Sequence, residues 1–251
     1  MTGASAHIPY CGSPPFPGDL WHRFNLDPIL IAALIVLLLL HLRALRTEPD
    51  KRFLAIAGWL VAAAALLSPL CALSVSLFSA RVAQHMLLLL VAAPLVAMAW
   101  PKAVTARHIW PLWASAALFL VALWFWHMPI PYDATFQSTS LYWSMHVTLF
   151  GSGILLWREL LQHRDAHTLD VLAAALLSSL QMGLLGAVLT FAARPLYLSH
   201  LATAGLWGYT PLQDQQLGGV LMWVPGVGLF LWASVRSLRR LWMALDSAEP
   251  S

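Results

Sequence analysis

Seven apolar runs, each close to the length that crosses a bilayer, constrain this chain more than any other feature. They lie near 28–46, 53–70, 77–99, 112–128, 139–158, 169–191 and 216–236. A helix rises 1.5 Å per residue, so roughly 20 apolar residues span the hydrocarbon layer. Only 10% of the 251 residues are charged, against about 25% in soluble domains. The expectation is an all-α polytopic membrane protein, a seven-transmembrane-helix bundle. A tail, 1–27, precedes the membrane domain, 28–240, and a short tail, 241–251, follows it. No soluble domain fits in the connections, and no internal repeat stands out. Residues 1–27 lack the basic start and apolar core of a cleavable signal peptide. Cys11 has no apolar segment before it, as a lipoprotein cysteine would.

Orientation follows from the basic residues. With the N-terminus outside, the inner connections hold Arg43, Arg46, Lys51, Arg52, Lys102, Arg107, Arg158, Arg164, Arg236, Arg239 and Arg240. The outer side keeps Arg23, Arg81 and Arg194. This bias predicts an outside N-terminus and a cytoplasmic C-terminus. Nucleic acid is excluded as a partner because no basic patch is interleaved with aromatic residues.

The same orientation puts several histidines in the outer half. His85, in Gln84-His85-Met86, and His146, in Trp143–His146, fall at nearly the same depth in the third and fifth spans. His127 ends the fourth span at the rim, and His200 lies in the connection before the last span. His22 reads as a solvated rim residue, and His41, His108, His163 and His167 as interfacial or cytoplasmic. Ionisable groups inside a span usually face the bundle interior, and neutral imidazole is the commonest metal ligand. The layer therefore predicts a metal site on His85, His127, His146 and His200.

Nearby thioethers at Met86, Met128, Met145 and Met222 tilt the expected metal toward copper, especially Cu(I), although methionine is also a common gap-filler. Asp133, Asp214 and Gln215 are accessory candidates, the two carboxylates as groups that orient a ring N–H. Cys11 and Cys71 share the outer side. A disulfide, free thiols and Cu(I) thiolate ligation all remain open for them. Gly183, Gly186 and Gly218-Gly219 suit close helix contacts, and Pro69 and Pro94 suit kinks or helix ends.

Two histidines at one depth also suit a haem held by two imidazoles, and a third reading makes the chain a docking partner with no metal. A transporter is disfavoured because no span carries a buried acid or base suited to ion coupling. No nucleophile is paired with a base, so no enzymatic reaction is assigned.

Four motifs in order resemble the CtaG family of cytochrome c oxidase assembly factors: Gln84–Leu95, Phe125–Asp133, His146 and Pro211–Gly226. The resemblance covers roughly residues 30–240. It implies a seven-span protein needed to assemble a haem-copper oxidase, with a part in its copper supply. It also implies oxidase subunits as partners, with periplasmic copper chaperones as further ones. The family's histidine positions fall on His85, His127, His146 and His200, and its acidic-amide motif on Asp214-Gln215.

Overall fold

Helices form where the apolar runs predict them. The computed structural model describes residues 8–101, 109–162 and 168–246, and no strand occurs among them. His7, Lys102, Arg107, His108, His163, Arg164 and His167 lie outside the described residues. The helices are α1 (Pro28–Ala44), α2 (Arg52–Leu67), α3 (Pro69–Ser76), α4 (Phe78–Met86), α5 (Ala93–Met98), α6 (Trp110–His127), α7 (Pro129–Ala134), α8 (Thr139–Gln162), α9 (Thr168–Thr190) and α10 (Pro211–Asp246). A π-helix, Leu87–Ala92, joins α4 to α5.

Four segments are long and apolar enough to cross a membrane: Phe78–Met98, Trp110–His127, Thr168–Thr190 and Pro211–Arg239. Counting the bent pair α2–α3 as one gives up to five. The other two expected spans also form helices. However, α1 has 17 residues, and α8, with 24, carries many polar groups. The exposed side chains include Leu39, Leu60, Val121, Leu180, Leu184 and Leu231, which form an apolar outer belt suited to lipid.

Local chemistry sets the breaks. Asp27 caps α1 by accepting from the Ile29 amide, with Pro28 in the first turn. Ser68 caps α3 in the same way, ahead of Pro69, and α2 and α3 meet at 48°. Pro94 has no N–H to return to the preceding turn, and the π-helix lies just before it. The Leu89 carbonyl there accepts from Trp157 Nε1 at 2.8 Å.

The longest helix contact joins α9 to α10. At their crossing, a Cβ on Gly219 would meet the Gly186 carbonyl at 2.7 Å, and one on Gly186 would meet Trp223 Cβ at 2.8 Å. These two glycines are close-approach positions. Gly183, expected to share that role, has open space beside it. Helix α10 starts at Pro211, five residues earlier than expected, and runs on to Asp246. Gly218 lies against Phe78 and the Ser79 backbone, so α10 docks closely on the start of α4.

The apolar runs enclose a polar interior at the end of the bundle that carries the N-terminal tail. Arg81, Gln84, His85, His127, Thr135, His146, His200, Asp214 and Gln215 are all buried there. The expectation that no span buries an acid or base is therefore overturned: Arg81 is 1% exposed and Asp214 0%. Both turn inward from helices whose opposite faces are apolar.

Candidate functional site

Three imidazoles meet inside this end of the bundle. His85 comes from α4, His127 from the end of α6 and His146 from α8. The His85 ring lies 5.5 Å from the His127 ring and 5.2 Å from the His146 ring, centroid to centroid, edge to face in both cases. All three are 3% exposed or less.

Two of the rings are held by their own helices. His127 Nδ1–H donates to the Leu123 carbonyl at 2.7 Å, and His146 Nδ1–H to the Tyr142 carbonyl at 2.9 Å. A carbonyl can only accept, so the proton sits on Nδ1 and each Nε2 keeps a bare lone pair. Neither Nε2 has a hydrogen-bond partner, and neither ring nitrogen of His85 has one. Four buried nitrogens without partners are expensive in a hydrocarbon interior, and bare imidazole nitrogens are what a metal takes. Among the described residues, no three His, Cys, Asp or Glu side chains already stand in metal-holding geometry. His85 makes no hydrogen bond that fixes its ring, so a turn of that side chain is the adjustment ligation needs.

His127 was expected at the rim; it is 2% exposed. Helix α6 stops at Met128, whose backbone is extended, and α7 folds back at Pro129. Tyr197 O–H donates to the His127 carbonyl at 2.7 Å. Covered in this way, His127 joins the buried group, while Met128 is exposed at 49%.

His200 lies elsewhere. It shares a 2.7 Å hydrogen bond with the Tyr132 hydroxyl and sits among Tyr132, Phe136 and Phe78. Burial pushes its imidazole down to about 3, so it is neutral. Ring contact joins it to none of the other three histidines.

The carboxylates do not orient imidazoles. Asp214 accepts from the Phe78 amide at 2.6 Å, the Ser79 amide at 3.0 Å and the Ser79 hydroxyl. It thereby caps α4, whose own cap residue, Leu77, supplies no side chain. Asp133 accepts from the Leu198 and Ser199 amides, both at 3.2 Å, and from the Ser199 hydroxyl. It thus holds the turn that carries His200. Each acid fixes a histidine-bearing segment through its backbone, and both favour the positive end of the segment they cap. Gln215 ties the end of α9 to the next connection, accepting from the Leu196 amide at 2.7 Å and donating to the Leu189 carbonyl at 3.3 Å. Met86, Met145 and Met222 are buried in the hydrophobic core.

Arg81 escaped the sequence reading, which counted it only as an outer-side charge. It stands one turn before His85 on α4. Its guanidinium donates to Thr135 at 2.7 Å and lies over the rings of Phe136 at 4.0 Å and Tyr132 at 5.2 Å. Its Nε has no partner, and no ion pair to it forms among the described residues. The four-residue spacing from Arg81 to His85 was the available signal. A residue four back from His146, Tyr142, matters equally: its ring lies tilted against the His146 ring, 4.2 Å between centroids.

Cys11 and Cys71 form a disulfide, with Cα atoms 5.4 Å apart, so in this state neither offers a thiolate to a metal. An apolar cleft of about 430 Å³ between α1 and α8 reaches His146 from the side, past Trp59 and Trp143.

The histidine-bearing segments fall within one family match. The model of the cytochrome c oxidase caa3 assembly factor family covers residues 33–243. The chain belongs to that family. The match includes His85, His127, His146, His200 and Asp214, and so takes in the whole buried polar interior. No curated protein and no solved structure matches the chain. Membership makes it a cytochrome c oxidase assembly factor with apolar membrane helices, and makes the oxidase its partner.

Proposed function

We propose that this assembly factor binds copper at His85, His127 and His146 and passes it to an oxidase subunit. The observation that carries the reading is the set of four partnerless ring nitrogens on three helices, with two Nε2 lone pairs held bare by backbone hydrogen bonds. A buried all-imidazole donor set suits copper, and three methionines, whose thioethers are soft, lie in the hydrophobic core. Copper is cargo here, not a resident cofactor, and no reaction is assigned to the chain. His200 braces the connection over the site and stands outside the ligand set.

The proposal includes seven spans, with α1 and α8 completing the bundle. The N-terminal tail and the histidines face the outer side of a bacterial plasma membrane, and the C-terminus faces the cytoplasm. The basic residues support that orientation, and a disulfide between Cys11 and Cys71 suits an oxidising compartment. Periplasmic copper chaperones would then reach the site from the tail side. A haem between His85 and either neighbour is less well supported. Those rings already meet edge to face, and a macrocycle would have to part them.

The test is copper content per purified chain, loaded as Cu(I), for the wild type and for His85→Ala, His127→Ala and His146→Ala. Each variant should lose the ion, with folding checked by circular dichroism. Unchanged stoichiometry in all three sinks the reading. A stoichiometric Soret band in the purified protein would favour haem instead.

A further inference from the structure

The two sulfurs of the Cys11–Cys71 disulfide differ in exposure, in helix position and in their contact with Asn25. Cys11 is partly exposed, on a turn closed by Gly12 N–H donating to the Pro9 carbonyl at 2.8 Å. Cys71 is fully buried in the first turn of α3, after the Ser68 cap. Its sulfur receives Asn25 Nδ2–H at 3.7 Å, and the Tyr142 hydroxyl lies 3.7 Å away. A helix start and polar hydrogens stabilise a thiolate. In exchange, an incoming thiolate takes the reachable sulfur, and the sulfur that best bears charge leaves. Both rules assign the same roles: Cys11 is attacked and Cys71 departs.

The pair also lies directly over the histidine site. The Tyr142 hydroxyl is 3.3 Å from Cys11 Sγ. The ring of the same tyrosine lies tilted against His146, and its backbone carbonyl accepts the His146 Nδ1–H. One side chain therefore separates the sulfurs from the metal-binding rings. Tyr10 also stacks on Tyr142, at 4.7 Å between ring centroids. The Arg81 guanidinium lies 5.8 Å from the Tyr142 ring, with its Nε unpartnered.

From this arrangement we infer that Cys11–Cys71 is a thiol–disulfide exchange site that opens into a Cu(I) entry port for the three histidines. The port rests on the copper reading above; the exchange site does not. A dithiol reductant is the required partner. Its first thiolate bonds to Cys11 Sγ as the Cys11–Cys71 bond breaks and the electron pair leaves on Cys71. Its second thiol displaces Cys11 and closes the reductant's own disulfide. Two electrons and two protons pass to the pair. One Cu(I) then replaces both thiol protons, which leave to the water that Cys11 faces, giving a bis-thiolate complex of charge −1. From there the ion moves past Tyr142 to His146, and the two thiolates take up two protons from the water that Cys11 faces.

Three measurements on the full chain in lipid nanodiscs test this. Wild type is treated with glutathione, quenched and mapped by mass spectrometry. The adduct is expected on Cys11, with Cys71 free; an adduct on Cys71, or no exchange, overturns the assignment. The triple variant His85→Ala/His127→Ala/His146→Ala is reduced with dithiothreitol, desalted and offered Cu(I) against bicinchoninate. It should hold one ion per chain with copper–sulfur scattering, and none when oxidised. A reduced triple variant that binds nothing overturns the port, even if oxidised wild type binds copper. Oxidised wild type that binds nothing removes the histidine reading and leaves the exchange site standing. Finally, reduced wild type should fill the histidine site at least tenfold faster than oxidised wild type. Cys11→Ser/Cys71→Ser should fill at the slow rate under either condition. Equal rates for reduced and oxidised wild type overturn the port.

Discussion

Replacing Asp214 with asparagine tests how the site is held. The carboxylate is fully buried and accepts three hydrogen bonds at the start of α4. Asparagine keeps the size and one acceptor oxygen, which can still serve Ser79. Its amide turns a donor toward the Phe78 N–H, and that buried amide is left unsatisfied. An unsatisfied buried donor costs about 1–3 kcal/mol. Loss of the negative charge at the helix start adds about 0.5–1 kcal/mol. The expected destabilisation is about 1.5–4 kcal/mol, read as a shift in the equilibrium unfolding curve in mixed micelles by far-ultraviolet circular dichroism. Because α4 carries Arg81 and His85, Cu(I) affinity should fall as well. Asp133→Asn, at a cap with a more exposed partner amide, should cost only about 0.5–1.5 kcal/mol. If Asp214→Asn unfolds within 0.5 kcal/mol of wild type (below the roughly 1 kcal/mol of a single hydrogen bond), Asp214 does not hold α4.

Other expectations follow from single contacts. Gly219→Ala inserts a Cβ against the Gly186 carbonyl and Thr190; it should cost about 1–3 kcal/mol as overpacking, whereas Gly183→Ala, with open space, should be near neutral in the same unfolding assay. Arg81→Gln removes a buried positive charge one turn from His85, which stabilises bound Cu(II) more than Cu(I). The potential of the bound copper should fall by tens of millivolts, about 59 mV for each tenfold change in relative affinity, and an unchanged voltammetric midpoint counts against any electrostatic role for Arg81. The hydrogen bond from Tyr10 holds the Asp27 carboxyl below its ordinary value of 3.8. A depressed carboxylate contributes stability above 3.8 that is lost as pH falls through the folded value. Protection of the Ile29 amide from exchange should thus persist at pH 7, vanish in acid below 3.8, and drop at pH 7 in Tyr10→Phe; equal protection in that variant would refute the clamp.

Hydropathy made the helices legible, because an apolar run of spanning length has few other solutions in a membrane. The histidine layer was legible for the same reason: imidazoles in such runs must turn inward, and His85 and His146 do. What failed was anything set by distant chain. Asp214 is separated from the amides it caps by 136 and 135 residues, so a carboxylate that reads as a ring partner proves to be a helix cap in trans. At the end of an apolar run, His127 has the sequence position of a rim residue, and position in sequence there does not give depth. The fold-back at Pro129 buries it. Arg81 was read by its charge alone, and the aromatic rings that shelter its guanidinium come from residues 50 or more positions away. The pairing of Cys11 with Cys71 was open because connectivity across 60 residues is not a local property.

The π-helix at Leu87–Ala92 has a bearing on how this family can vary. It separates α4, which carries Arg81 and His85, from α5, where Val96 lies against Gly58 of α2. Each residue of an α-helix turns the chain by about 100°. The wider turn therefore acts as a phase adjuster, setting the angle of the site-bearing half independently of the half anchored below. Loss of one residue within it would straighten the span into continuous α-helix. The lower contacts would survive, while His85 swung out of register with His127 and His146. The length of this short stretch is accordingly constrained along with its side chains, of which Leu88, Leu89 and Leu90 are buried.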